Sequence, residues 1–164
     1  MDFETVYVEL FTPLYRYVFF RVRNYDESMD IIQSVFMKVF EKYAHKSKNE
    51  LEKLLYRSAR NEMIDRGVKK KALLVDPSES SWNNIKDEST PNPEHNSIAR
   101  DNRVLVHKLL EQLPDDDKDI IILRYLQEKE YSEIAVIVGK RESTIRQIVT
   151  RSLQKLRKQY EQES

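Results

Sequence analysis

The chain has 164 residues, of which 34% are charged, with two glycines, five prolines and no cysteine. That length suits one domain or two small ones, and the missing thiols exclude disulfides and thiolate metal sites. The 28 Lys/Arg balance 28 Asp/Glu, which argues against tight, indiscriminate binding of nucleic acid by the chain as a whole.

No run of about 18 apolar residues occurs, so no membrane span is expected. The first twenty residues carry Asp2, Glu4 and Glu9 and no basic group before Arg16, the wrong charge order for a signal peptide. A cytoplasmic protein is expected. Scarce glycine, many charges and the absence of alternating patterns favour an all-α fold.

The first helical pattern runs from Phe3 to about Asn24, with Val6, Leu10, Leu14, Tyr17 and Val18 on one face. Pro13 interrupts it, and Thr12-Pro13 reads as the cap and first turn of a second helix. The next helix has Asp26 as its candidate cap. Ile32, Val35, Phe36, Val39, Phe40 and Tyr43 form its apolar stripe. After the polar stretch 45–49, a third helix spans about 50 to 72, burying Leu51, Leu54, Leu55, Ser58, Ala59 and Met63. Its second half is basic. A helix dipole explains Lys69 to Lys71 near the C-terminus, but not Arg57 and Arg60 in mid-helix.

Residues 73–97 hold three prolines and much Ser, Asn, Asp and Glu, and read as an acidic linker. Leu73, Leu74, Trp82 and Ile85 are too apolar for a pure spacer and suggest a segment that lies on a partner. Helical pattern returns near Ile98, with Leu105, Leu109 and Leu110 on one face, and ends at Leu113-Pro114. A helix over about 115–126 opens on acids. Its apolar run 120–123 places it at the centre of a small bundle. The reading is thus two small helical domains, 1–72 and 98–164, on a flexible tether.

The last third carries the sharpest signal. A short apolar helix (Ile134, Ala135, Val138) runs into Gly139, and a second follows with Ile145, Ile148, Val149, Ser152, Leu153 and Leu156 on one side. Residues 140–158 hold seven Lys/Arg and a single acid, Glu142. An apolar face opposite a basic one, after a glycine turn, is a helix-turn-helix whose second helix suits the major groove. Ser143 and Thr144 sit where free amides and hydroxyls can hold a phosphate. Arg146, Gln147 and Arg151 project toward base edges. Arg141 and Lys155 complete the candidate surface.

With these elements in place, the chain resembles the extracytoplasmic-function (ECF) sigma factors of the sigma-70 family. The likeness rests on DIIQSVFMKVFEKY (30–43), LLYRSARNEMID (54–65), LEQLPDDDKDIIILRYLQEKEYSEIAVIVG (110–139) and TIRQIVTRSLQKLR (144–157). It implies core RNA polymerase and promoter DNA as partners. It also makes an anti-sigma factor a candidate partner. Asp30, Gln33 and Phe36 would face the polymerase. By spacing alone, Phe36 belongs to the core and the other two to solvent. Tyr56, Arg57, Arg60, Asn61, Arg66, Lys69 and Lys70 would serve the minus-ten element, with Tyr56 stacking on an unpaired base and the cations on phosphates. The helix-turn-helix would read the minus-thirty-five element.

Leu54 stands where the family usually has Trp, Ser58 where it has an apolar residue, and the loop before that helix lacks glycine. Lys140, Arg141 and Ser143 replace the family's usual turn residues. The resemblance therefore implies which surfaces bind, and not the base sequence they read. His45, His95 and His107 have no metal spacing and no glycine-rich phosphate loop occurs. Neither a cofactor nor enzymatic activity is expected. A stand-alone helix-turn-helix regulator, dimeric on a two-fold site, is the alternative reading.

Overall fold

All regular structure is helical in the computed structural model, which describes residues 2–67 and 104–163. The expected linker lies outside the described residues, as do Lys69 and Lys70.

Helix α1 spans Phe3–Val22 and is capped by Asp2, whose carboxylate accepts the Thr5 N–H at 2.9 Å. The break anticipated at Pro13 does not occur: one helix runs through it. An interior proline costs about 3 kcal/mol. Leu10, Leu14, Tyr17 and Val18, which flank it, are all buried, at 5% exposure or less. Burying large apolar side chains contributes about 1.5–3 kcal/mol each, enough to carry the helix across. Arg23, in the left-handed region at φ 57°, ends it. Helix α2 spans Tyr25–Tyr43. Its cap is Asn24, accepting from the Glu27 N–H at 2.9 Å, and not Asp26, which sits in the first turn. Helix α3 spans Lys48–Asp65, capped by the Ser47 hydroxyl. It stops well before residue 72, turning off at Gly67 with φ 64°.

The second half begins with α4, residues 104–110. Helix α5, Asp115–Ile121, continues into one π-helical turn over Ile122–Leu126. There the Gln127 N–H donates to the Ile122 carbonyl, five residues back, at 3.0 Å. Ile120 to Leu123 are all buried, as the all-round apolar run implied. Helix α6, Tyr131–Val138, ends on Gly139 at φ 72°, and α7 spans Glu142–Glu163.

The two halves do not stand apart. Helix α6 lies against α3, and one hydrophobic cluster runs from Val6 in α1 to Val149 in α7. Helical spacing within each half carried no sign of this shared core.

Candidate nucleic-acid interface

In α7, Ile145, Ile148, Val149 and Ser152 are buried. The predicted stripe gives out after them: Leu153 is 39% exposed and Leu156 only half-buried. Leu156 still packs against the edge of the core. On the opposite side, Arg141, Ser143, Arg146, Gln147, Arg151 and Lys155 are exposed and Thr144 is half-buried. Thr144, Gln147, Arg151 and Lys155 fall at i, i+3, i+7 and i+11, a single row along the helix. Arg146, one row over, donates to Glu142 at 3.0 Å, and its guanidinium sits 4.6 Å from the centre of the Tyr131 ring. Lys155 Nζ donates to the Gln112 carbonyl at 3.1 Å. A groove lined by Pro114, Asp116, Asp117, Lys140, Gln147 and Arg151 separates this row from the start of α5. Across it, Arg151 lies 4.0 Å from Asp117 and Lys140 lies 3.7 Å from Asp116.

Helix α3 divides its candidate residues between two faces. Arg57 and Asn61, four apart, are exposed, and Arg66 is held by Glu62 at 2.9 Å. Tyr56 and Arg60, also four apart, are turned inward and 1% and 9% exposed. The resemblance implied one nucleic-acid surface for all of them. The second half of the chain covers the inner pair. The Tyr56 hydroxyl donates to Gln127 Oε1 at 2.6 Å. Lys129 Nζ sits 4.4 Å above the same ring and pairs with Glu52. Burial pushes the Tyr56 phenol well above its ordinary range, with Glu52 adding to the effect.

On α2, Asp30 and Gln33 are exposed. Phe36 is not: it is 1% exposed, with its ring 4.8 Å from that of Tyr7. In this arrangement it holds α2 on α1 and offers no surface to a partner.

The groups that the sequence did not single out lie between the halves. Asp119, 3% exposed, is bracketed by Arg21 at 3.3 Å and Arg60 at 3.2 Å. Burial raises its carboxyl above the ordinary range, and the two guanidiniums oppose that shift. Asp116 accepts from Arg60 at 2.6 Å through one oxygen and faces Lys140 through the other. Arg23 donates to Glu111 and to His107 Nδ1, each at 2.6 Å. The His107 ring stacks on Phe20 at 4.2 Å. Burial, with the Arg23 cation beside it, pulls the imidazole down to about 3. The available signal was the acid run 115–119, a favourable charge at a helix start. Its reach to α1 and α3 was not visible without the fold.

Among the described residues no group of three or more His, Cys, Asp or Glu could hold a metal ion. No described helix is long and apolar enough to cross a membrane.

Two family models match. Sigma-70 region 2 covers residues 6–72, and Sigma-70 region 4 covers residues 109–158. Together they take in more than half of the chain. The ECF RNA polymerase sigma factor SigM of Bacillus subtilis (strain 168) is 22% identical over 160 residues, covering 98% of this chain and 96% of that protein. The ECF RNA polymerase sigma factor SigX of the same organism is 24% identical, covering 97% of this chain and 84% of that protein. Among solved structures, the sigma factor RpoE of Bartonella quintana, crystallised with the anti-sigma factor NepR, superposes with a TM-score of 0.63. That match has 19% identity and covers 96% of this chain and 95% of the other. With its region 2 fold, its exposed basic helix-turn-helix and these relatives end to end, the chain belongs to the sigma-70 family as an ECF sigma factor, which directs core RNA polymerase to promoters.

Proposed function

We propose the following division of labour. Helix α2 docks on core polymerase through Asp30 and Gln33. Helix α3 takes the minus-ten element, Arg57, Asn61 and Arg66 on phosphates and Tyr56 and Arg60 on opened strands, with Lys69 and Lys70 extending that track. Helix α7 reads the minus-thirty-five duplex: Arg146, Gln147 and Arg151 at base edges, Arg141, Ser143, Thr144 and Lys155 at the backbone. The observation that carries this is the row Thr144, Gln147, Arg151 and Lys155, facing outward on a helix whose other side is locked in the core.

Phe36 serves this scheme from inside, by fixing the α2 face on which Asp30 and Gln33 stand. Bond-making is left to the polymerase. The cytoplasm is the fitting compartment, because polymerase and promoter are there. An anti-sigma factor is a fitting regulator, since the Bartonella sigma factor of like fold was crystallised with one.

The scheme is tested by run-off transcription with purified core polymerase on a library of genomic promoters. Specific transcripts that depend on this chain are expected, and Gln147→Ala with Arg151→Ala should abolish their promoter preference. Specific binding of a two-fold symmetric site by the chain alone would favour the stand-alone regulator instead.

A further inference from the structure

Arg146, on α7, meets the helix before the turn through an aromatic ring. Its Cζ lies 4.6 Å from the centre of the Tyr131 ring. Tyr131 is the first residue of α6 and is half-buried against the core. The start of that helix is fixed, with the Glu130 N–H donating to the Glu133 carboxylate at 3.4 Å. A second guanidinium lies over the same ring: Arg124, from the π-helical turn, has its Cζ 4.2 Å from the ring centre. Arg124 is anchored. It donates to the Lys129 carbonyl at 3.0 Å and lies 3.8 Å from Glu130, with 29% of its side chain exposed. Arg146 faces solvent, with 60% of its side chain exposed.

We propose that Tyr131 is a positioning residue for promoter reading: its ring, held in place by Arg124, sets the direction of the Arg146 guanidinium and makes the preference at one base pair depend on a residue outside the recognition helix. The inference rests on the base-edge reading of Arg146. Two holds act on that guanidinium. Glu142, one turn back, accepts from Nη2 at 3.0 Å. An exposed ion pair between successive turns contributes little and is screened by salt. It also takes up donors that a base would need. The ring acts through the face of the guanidinium. The N–H groups lie in the guanidinium plane, so they stay able to donate side by side to one base. Only the ring can therefore keep its hold while the arginine is reading. A long side chain directed in advance loses less freedom on binding.

The test uses polymerase reconstituted with the full chain, and competition binding over promoters carrying every single-base change in the minus-thirty-five element. Arg146→Ala identifies the base pair at which that arginine discriminates. Tyr131→Leu should lose about fivefold of the preference at the same base pair, the fold-change that a cation–π contact at an exposed site amounts to. Preferences removed by Gln147→Ala or Arg151→Ala should be untouched by it. Tyr131→Phe keeps the ring and should keep the parent preference. Tyr131→Leu combined with Arg146→Ala should be no worse than Arg146→Ala alone. In the free chain, ring-current shielding should move the Arg146 side-chain protons upfield in the parent and in Tyr131→Phe, and the shift should vanish in Tyr131→Leu.

An equal loss at every base pair with a lower melting temperature would leave Tyr131 a packing role only and overturn the proposal. So would absence of shielding in the parent, or additive losses in the double variant. Weaker binding to all promoters by Tyr131→Phe would assign the hydroxyl to a phosphate and overturn it too. The underlying reading is judged by Arg146→Ala itself. No change of base preference there would sink base reading by Arg146, and the positioning role with it. A lost preference there beside an intact one in Tyr131→Leu would overturn the positioning role alone.

Discussion

Residues on α7 differ in what their loss should do. Arg151 and Gln147 are exposed on the outward row, and each good bidentate contact to a base contributes about 1–3 kcal/mol of discrimination. Replacing either with alanine should relax the minus-thirty-five preference by that amount without lowering the melting temperature, as measured by competition binding of the reconstituted polymerase. Phe36 should behave in the opposite way. Truncating a large buried aromatic costs about 3–5 kcal/mol, so Phe36→Ala should lower stability in denaturant titrations. Asp30→Ala and Gln33→Ala should leave stability alone and weaken polymerase binding. Much at this scale was legible, because spacing identifies which face of a helix is wet. Tyr56 and Arg60 were legible as a pair and illegible as buried, since the groups that cover them come from 56 to 73 residues further along the chain.

Elements were read well where a stripe repeated and poorly where a partner decided. The helix-turn-helix could be drawn from Ile134, Gly139, Ile145 and Ile148 alone. The continuous α1 could not, because the packing that overrides Pro13 is tertiary. Nor could the π-helical turn, which no residue spacing announces. Helix α4 carries a consequence of its own. His107 is 5% exposed and held near 3 by burial, with Arg23, Arg21 and Lys118 adding positive charge around it and Glu111 opposing them on Arg23. An unfolded histidine titrates near 6.5, so between about 6.5 and 3 the folded chain binds fewer protons. Stability from this group is complete above the unfolded value and falls as pH drops below it, by up to about 1.4 kcal/mol per pH unit. Thermal unfolding between pH 7 and pH 4.5 should show that slope, and His107→Gln should flatten it. Gly139 gives a second test at this scale. Open space surrounds it, but φ 72° is a conformation that other residues rarely adopt. Gly139→Ala should cost about 1 kcal/mol through backbone strain alone.

The whole molecule has no net charge, and where the halves meet Arg21, Arg23 and Arg60 face Asp119, Glu111 and Asp116. Both facts point the same way. A chain in this state has little long-range pull on a duplex, and Tyr56 and Arg60 are covered. On the proposed scheme, affinity for a promoter comes from docking on polymerase, which supplies further contacts. The composition implies weak solitary binding; it could not foretell that Tyr56 and Arg60 are covered, which depends on single side chains of the second half reaching them. The most direct test is binding of a labelled promoter duplex by this chain alone, by core polymerase alone and by the two together. Only the combination should bind specifically and open the minus-ten region to a single-strand probe. Tight, specific binding by the free chain, undiminished without polymerase, would contradict the account.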